Sequence, residues 1–190
     1  MESARIKRVL YFVPEFPRIS ETFIEREVSK LIEWNNLDIT ILSLSKATGS
    51  TSEEVSKRTI YSPLGVKDFL GGLFYLFVSP KKSARCYKLS LGLANRGFCS
   101  KMFFFLKSLG YTKIIAGLKP QHIHAHFLSW PSTTVLIASI ILDIPFSISA
   151  HARDVFVDGE LIAQKIESAK FLSICNSYAY KKALEVAGVA

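Results

Sequence analysis

The chain has 190 residues, 49% of them apolar, and a formal net charge of +8. That length suits one well-buried domain and would leave two cramped, and the apolar content excludes a disordered chain. Cys86, Cys99 and Cys175, widely and irregularly spaced, form neither a disulfide framework nor a metal-binding pattern, so all three are expected as reduced, buried thiols.

The basic start, Met1 to Arg8, leads into about five apolar residues before Pro14 and Glu15, too few for a signal-peptide core. Arg5 to Val13 reads as a buried parallel strand, rich in β-formers. Pro14-Glu15-Phe16-Pro17 is expected to end it, because proline cannot donate to a ladder. Ser20-Glu21-Thr22-Phe23-Ile24-Glu25 then signals a helix start, with Thr22 and Glu25 at capping-box spacing and Ser20 as an alternative cap. Phe23, Ile24, Val28, Leu31 and Ile32 give that helix one apolar face. Its N-terminus faces the end of the strand and offers free N–H groups to an anion, so Glu15, Ser20 and Glu21 are candidates to contact a sugar or a phosphate. No glycine-rich turn follows the strand, which argues against NAD or FAD.

Asn35-Asn36 breaks the helix and Leu37 to Leu44 forms a second strand, an opening typical of doubly wound α/β folds. Ser45 to Lys57 is polar and reads as a loop; Arg58 to Tyr61 reads as a short strand. Val66 to Leu118 reads as a largely helical insertion of about three helices, broken near Ser79-Pro80 and Asn95-Arg96-Gly97. The 74 residues between Asp68 and Asp143 contain no Asp or Glu, while nine Lys or Arg lie from Lys81 to Lys119. Together with Phe69 to Val78 and Phe103 to Leu106, these basic residues suit a surface resting on an anionic membrane. Neither apolar run reaches the roughly 20 residues that cross a bilayer. The aromatics are packed into apolar runs rather than interleaved with basic residues, which disfavours nucleic acid.

All four histidines fall between Gln121 and Asp154. Gln121 to Phe127 reads as a strand that places His122, His124 and His126 on one face. No Asp or Glu lies within fifteen residues of this strand, which disfavours a metal site; His122 and His124 are expected to make structural hydrogen bonds and His126 to line a cleft. Ser129-Trp130-Pro131 opens a buried apolar helix reaching Leu142. Pro145 to Ala150 is the next strand, and His151-Ala152-Arg153-Asp154 is expected in a loop at the edge where open parallel sheets bind ligands. There His151 can orient a hydroxyl or stabilise charge, Asp154 can orient His151, and Arg153 can hold a phosphate. Ala169 to Ile174 reads as a further strand, and Asn176 or Ser177 caps a closing helix.

The series Pro14-Glu15-Phe16-Pro17, Ser20-Glu21-Thr22-Phe23, His124-Ala125-His126-Phe127 and Ile144-Pro145-Phe146 leading to Ala150-His151-Ala152-Arg153-Asp154 resembles the N-terminal domain of family 4 glycosyltransferases, in the branch that builds bacterial exopolysaccharides such as colanic acid. The resemblance implies a Rossmann-like parallel sheet with helices on both faces, one half of a GT-B fold. It further implies retaining, metal-independent transfer of a sugar from a nucleotide-sugar donor to a lipid-linked or glycan acceptor. By the same resemblance His151 is the catalytic cleft residue, and Glu15, Phe16, Ser20, Glu21, Thr22, His126, Arg153 and Asp154 bind substrate. No cofactor or metal is expected. The donor-binding domain would begin about where the sequence stops, at Ala187 to Ala190, so a fragment is expected, in the cytoplasm and peripheral on the inner face of the plasma membrane. Two other readings stay open: a non-catalytic glycolipid-binding domain that works beside a separate donor-binding chain, and a metal-dependent hydrolase using the three-histidine strand.

Overall fold

The computed structural model describes residues 7–35, 37–93, 96–157 and 159–188. Parts of the expected first strand, the breaks at Asn36 and Asn95, and the last two residues lie outside them. The rest forms a three-layer α/β domain around a six-stranded, all-parallel sheet in the order β3-β2-β1-β4-β5-β6. The strands are β1 (Arg8–Phe16), β2 (Asp38–Lys46), β3 (Thr59–Tyr61), β4 (His122–His126), β5 (Phe146–Ala150) and β6 (Leu172–Ile174). The strand order reverses between β1 and β4, which is where such sheets open a ligand crevice.

Period-two alternation decides which side each strand residue serves. Leu10 and Phe12 of β1, with Ile123 and Ala125 of β4, pack under α6 (Phe98–Leu118) and α7 (Trp130–Leu142). Tyr11, Val13, Ile39 and Ile41 point the other way, onto Ile24 and Val28 of α1 (Thr22–Asn35). α7 is buried nearly all round, as its unbroken apolar run requires, and it stops where Asp143 adopts left-handed geometry (φ 56°).

Several local expectations are corrected. β1 runs through Pro14 to Phe16 because β4 pairs only with Val9 to Phe12; beyond that, β2 is its registered partner, and the ladder resumes at Glu15 and Phe16. The capping box at Thr22 and Glu25 is not formed. Thr22 already has helical geometry after a 3-10 turn (Ile19–Glu21), and Glu25 accepts instead from the Thr51 hydroxyl and the Ser52 N–H. The polar stretch after β2 is not all loop: Ser52 caps α2 (Glu53–Lys57) through Val55 N–H, with Glu53 and Glu54 in the first turn. His151 is not in a loop but is the N-cap of α8 (Ala152–Phe156). Only Cys86 is buried; Cys99 and Cys175 are exposed.

The insertion folds as α3 (Val66–Leu73), α4 (Tyr75–Val78), α5 (Pro80–Leu91) and α6. α3 lies so close on α6 that a Cβ at Gly72 would sit 2.4 Å from the Gly110 nitrogen. α9 (Ile162–Ser168) and α10 (Ser177–Ala187), the latter capped by Asn176 through Ala179 N–H, complete the layer on the α7 side.

Candidate functional site

At the carboxyl edge of the sheet, three chain segments meet: the turn into α1, the turn from β4 into α7, and the start of α8. Their meeting is held by a strained backbone. Phe127, the first residue past β4, has φ 76°, a conformation costing a bulky L-residue about 1–2 kcal/mol. Four bonds fix the chain there. Phe127 N–H donates to Ser149 O at 2.8 Å, Leu128 N–H donates to the Asp154 carboxylate at 3.2 Å, and the Lys165 ammonium donates to Leu128 O and Ser129 O at 2.6 and 2.8 Å. Such outliers persist only where their surroundings over-determine them, and they cluster at functional sites.

Asp154 is buried, and the oxygen that accepts from Leu128 also accepts from His151 N–H at 2.9 Å. It therefore ties α8 to the turn after β4, a positioning role for both histidine-bearing segments. Lys165 is wholly buried beside it on α9; desolvation brings its pKa down to about 7, opposed by the charges of Glu160 and Asp154. Sequence periodicity shows no trace of this lysine, which lies in an ordinary amphipathic helix.

The His151 ring packs against Phe23 (centroids 4.5 Å), Phe127 (5.6 Å) and His126 (6.5 Å, nearly parallel). Its Nε2 is buried and makes no hydrogen bond to any described residue. The other expected site residues divide. Phe16 is buried against α1, at the floor of a small pocket that Glu21 and Thr22 also line. Ser20, Thr22 and Arg153 are exposed at the same edge. Glu15 and Glu21 flank Arg18, at 3.6 and 3.3 Å. Burial raises the Glu21 pKa against the pull of Arg18, with Glu15 and Asp154 adding to the rise.

Behind this edge lies the histidine strand. His122 Nε2 and His124 Nδ1 share the Ser147 hydroxyl at 2.7 and 2.8 Å, and His124 Nε2 meets the Ser149 hydroxyl at 3.0 Å. Both make the structural bonds the sequence suggests. His126 is fully buried, and neither of its ring nitrogens has a hydrogen-bond partner among the described residues. The acidic partner that sequence proximity denies this strand comes from α1: Glu27 places its carboxylate oxygens 3.8 Å from His124 Nε2 and 3.7 Å from His126 Nε2. Tyr11 donates to the same carboxylate at 2.7 Å. Desolvation, helped by neighbouring histidines, lowers the pKa of His124 to about 4 and that of His126 well below its usual value, so both rings are neutral at pH 7.

A groove adjoins the edge on the other side of the sheet. Phe103, Lys107, Tyr111 and Trp130 line both of its halves, about 250 and 470 Å³, and Glu15 borders the larger. Lys107 lies over the Tyr111 and Trp130 rings at 5.8 and 5.9 Å. Aromatic faces beside a cation suit a sugar ring carrying an anionic group. These residues belong to the insertion and to α7, whose sequences show apolar runs and basic residues but not that they converge on one groove.

Neither a family model nor a curated protein matches the chain.

Proposed function

We propose that this domain is the acceptor-side half of a GT-B glycosyltransferase, which transfers a sugar with retention and without metal participation from a nucleotide-sugar to a lipid-linked or glycan acceptor in cell-surface polysaccharide synthesis. The observation that carries the reading is His151: an imidazole at the ligand edge of a doubly wound parallel sheet, enclosed by Phe23 and Phe127, whose Nε2 has no described partner. A sugar hydroxyl supplies that missing bond, and the imidazole then orients the transferred sugar and stabilises charge developing on it. Glu15, Glu21 and the cation-bearing aromatic groove would hold the acceptor, and Arg153 a phosphate. The donor's nucleotide would be held by a second Rossmann-like domain across the cleft. Incubating the chain, joined to or mixed with such a domain, with labelled nucleotide-sugars and membrane lipid extract tests this. Transfer to lipid with the anomeric configuration kept is expected; release of free sugar alone would favour a hydrolase.

The insertion supports a peripheral membrane setting. Val66 (76% exposed), Leu70 (58%), Phe74 (61%), Phe77 (80%) and Val78 (50%) recur at helical spacing and form an outward apolar stripe along α3 and α4. Lys67, Lys81, Lys82 and Arg85 lie beside or just after it in the chain. No helix among the described residues is long and apolar enough to cross a membrane. An apolar stripe flanked by cations fits the interface of an anionic leaflet, which on this reading is the cytoplasmic face of the plasma membrane. Flotation with anionic liposomes, reversed by salt and abolished by Leu70→Glu with Phe77→Glu, is the expected result; equal flotation with neutral liposomes would refute it.

A further inference from the structure

We propose that Glu27, His124 and His126 form a structural zinc site that pins α1 to β4 one layer beneath the ligand edge. This inference does not depend on the transferase reading. It reverses the expectation that the histidine strand lacks a carboxylate: the acid arrives from α1.

Four observations converge. The ligand atoms of the three residues lie within 4.8 Å of one another. The carboxylate-to-imidazole distances of 3.7 and 3.8 Å are too long for direct hydrogen bonds, yet close to the roughly 3.4 Å that separates neighbouring ligands of a tetrahedral ion with bonds of about 2.0–2.1 Å. His126 is fully buried, and its Nε2, the nitrogen facing Glu27, is unpartnered; an orphaned buried polar atom calls for an explanation such as an ion. Finally, groups around the ligands orient them. Tyr11 donates to Glu27, and the Ser147 hydroxyl, held by His122, bonds His124 Nδ1, leaving His124 Nε2 toward the carboxylate. Metal-binding histidines typically have such a bond on their second nitrogen.

Burial keeps both imidazoles neutral at pH 7, the form that ligates. In the metal-bound protein the Ser149 hydroxyl gives up its bond to His124 Nε2. Glu27 is part-exposed, so an ion enters from its side, and water completes the coordination. Two imidazoles, a carboxylate and water favour zinc among available ions over the hard, oxygen-seeking magnesium and calcium.

The test uses the untagged 190-residue chain carrying Cys99→Ser and Cys175→Ser, so that exposed thiols cannot bind metal. After chelation, titration with zinc should raise the melting temperature and saturate at one ion per chain, with magnesium having no effect. Cobalt(II) should give the intense visible bands of a tetrahedral site. Glu27→Gln should weaken zinc binding by at least about tenfold while keeping the far-UV circular dichroism. No saturable zinc effect, weak octahedral cobalt bands, or undiminished affinity in Glu27→Gln would overturn the assignment. If the variant fails to fold, the cobalt spectrum of the parent decides.

Discussion

Phe23, in the first turn of α1, lays its ring 4.5 Å from that of His151, at the start of α8. The same ring lies 5.9 Å from His126, so one side chain from α1 supports both the edge histidine and the buried one below it. Phe23 is part-buried, so Phe23→Ala should cost less than the roughly 3–5 kcal/mol typical of a fully buried phenylalanine. Its functional effect should exceed its effect on stability, because His151 loses a wall. Transfer rate and denaturant midpoint, measured on the same preparations, would show the split, with Phe23→Leu intermediate in both.

His151→Ala in the transfer-competent protein should lower turnover by about a hundredfold or more, the scale of one positioned acid–base or electrostatic group. The fold should persist, because Asp154 still accepts from the backbone N–H at this position, although the bond that the His151 ring accepts in the α8 capping box is lost. Near-normal turnover would remove His151 from the chemistry.

Asp154→Ala should be more damaging to the fold than its loop-like sequence context suggests. It strands the N–H groups of Leu128 and His151, each worth about 1–3 kcal/mol when left unpaired in a buried setting. Asp154→Asn, which keeps an acceptor oxygen, should recover a large part of the loss. Urea midpoints of the three proteins give the comparison.

Lys165 gives stability a pH dependence of unusual sign. Its pKa falls from 10.5 to about 7 on folding. Below pH 7 both states hold the proton, and the cost of burying the charge is present in full. Between about pH 7 and the unfolded value, the unfolded chain alone holds the proton, so stability rises with pH by up to about 1.4 kcal/mol per unit from this group. A neutral amine still has two N–H groups for the carbonyls of Leu128 and Ser129. Lys165→Met should be less stable throughout and should lack this rise. Parallel stability curves for the two proteins from about pH 6 to about pH 9 would refute the account.

Gly72→Ala should destabilise by about 1–3 kcal/mol or more, since its Cβ would meet the backbone of Gly110 and Leu109 rather than a movable side chain. Thermal unfolding is the direct measure.

Local pattern alone was enough to read the strand, helix, strand unit from His122 to Ala150 and the shared face of the three histidines. A period of two identifies a face, but not which helix covers it. Glu27 therefore stayed invisible: it is 97 positions before His124, and only the packing of α1 across β1 joins them. The strand through Pro14 was missed for a related reason, because whether a proline is tolerated depends on where β4 stops pairing. His151 and Asp154 were legible as neighbours at the sheet edge, with Asp154 orienting His151; the tie from the same carboxylate to the turn after β4 was not. A carboxylate that ties backbone together and one that meets a ligand are the same three letters in a sequence.

The close seat of Gly72 on Gly110 has a mechanical corollary. α6 passes into β4 through Lys119, Pro120 and Gln121 alone, and α3 seats on α6 backbone to backbone where Gly72 meets Gly110. The apolar stripe and the histidine strand are thus joined through one close-packed helix pair and a three-residue link. Were the stripe to settle into a lipid surface, its tilt would set the height and attitude of the crevice above that surface, and with them how far a lipid-borne sugar must rise to be reached.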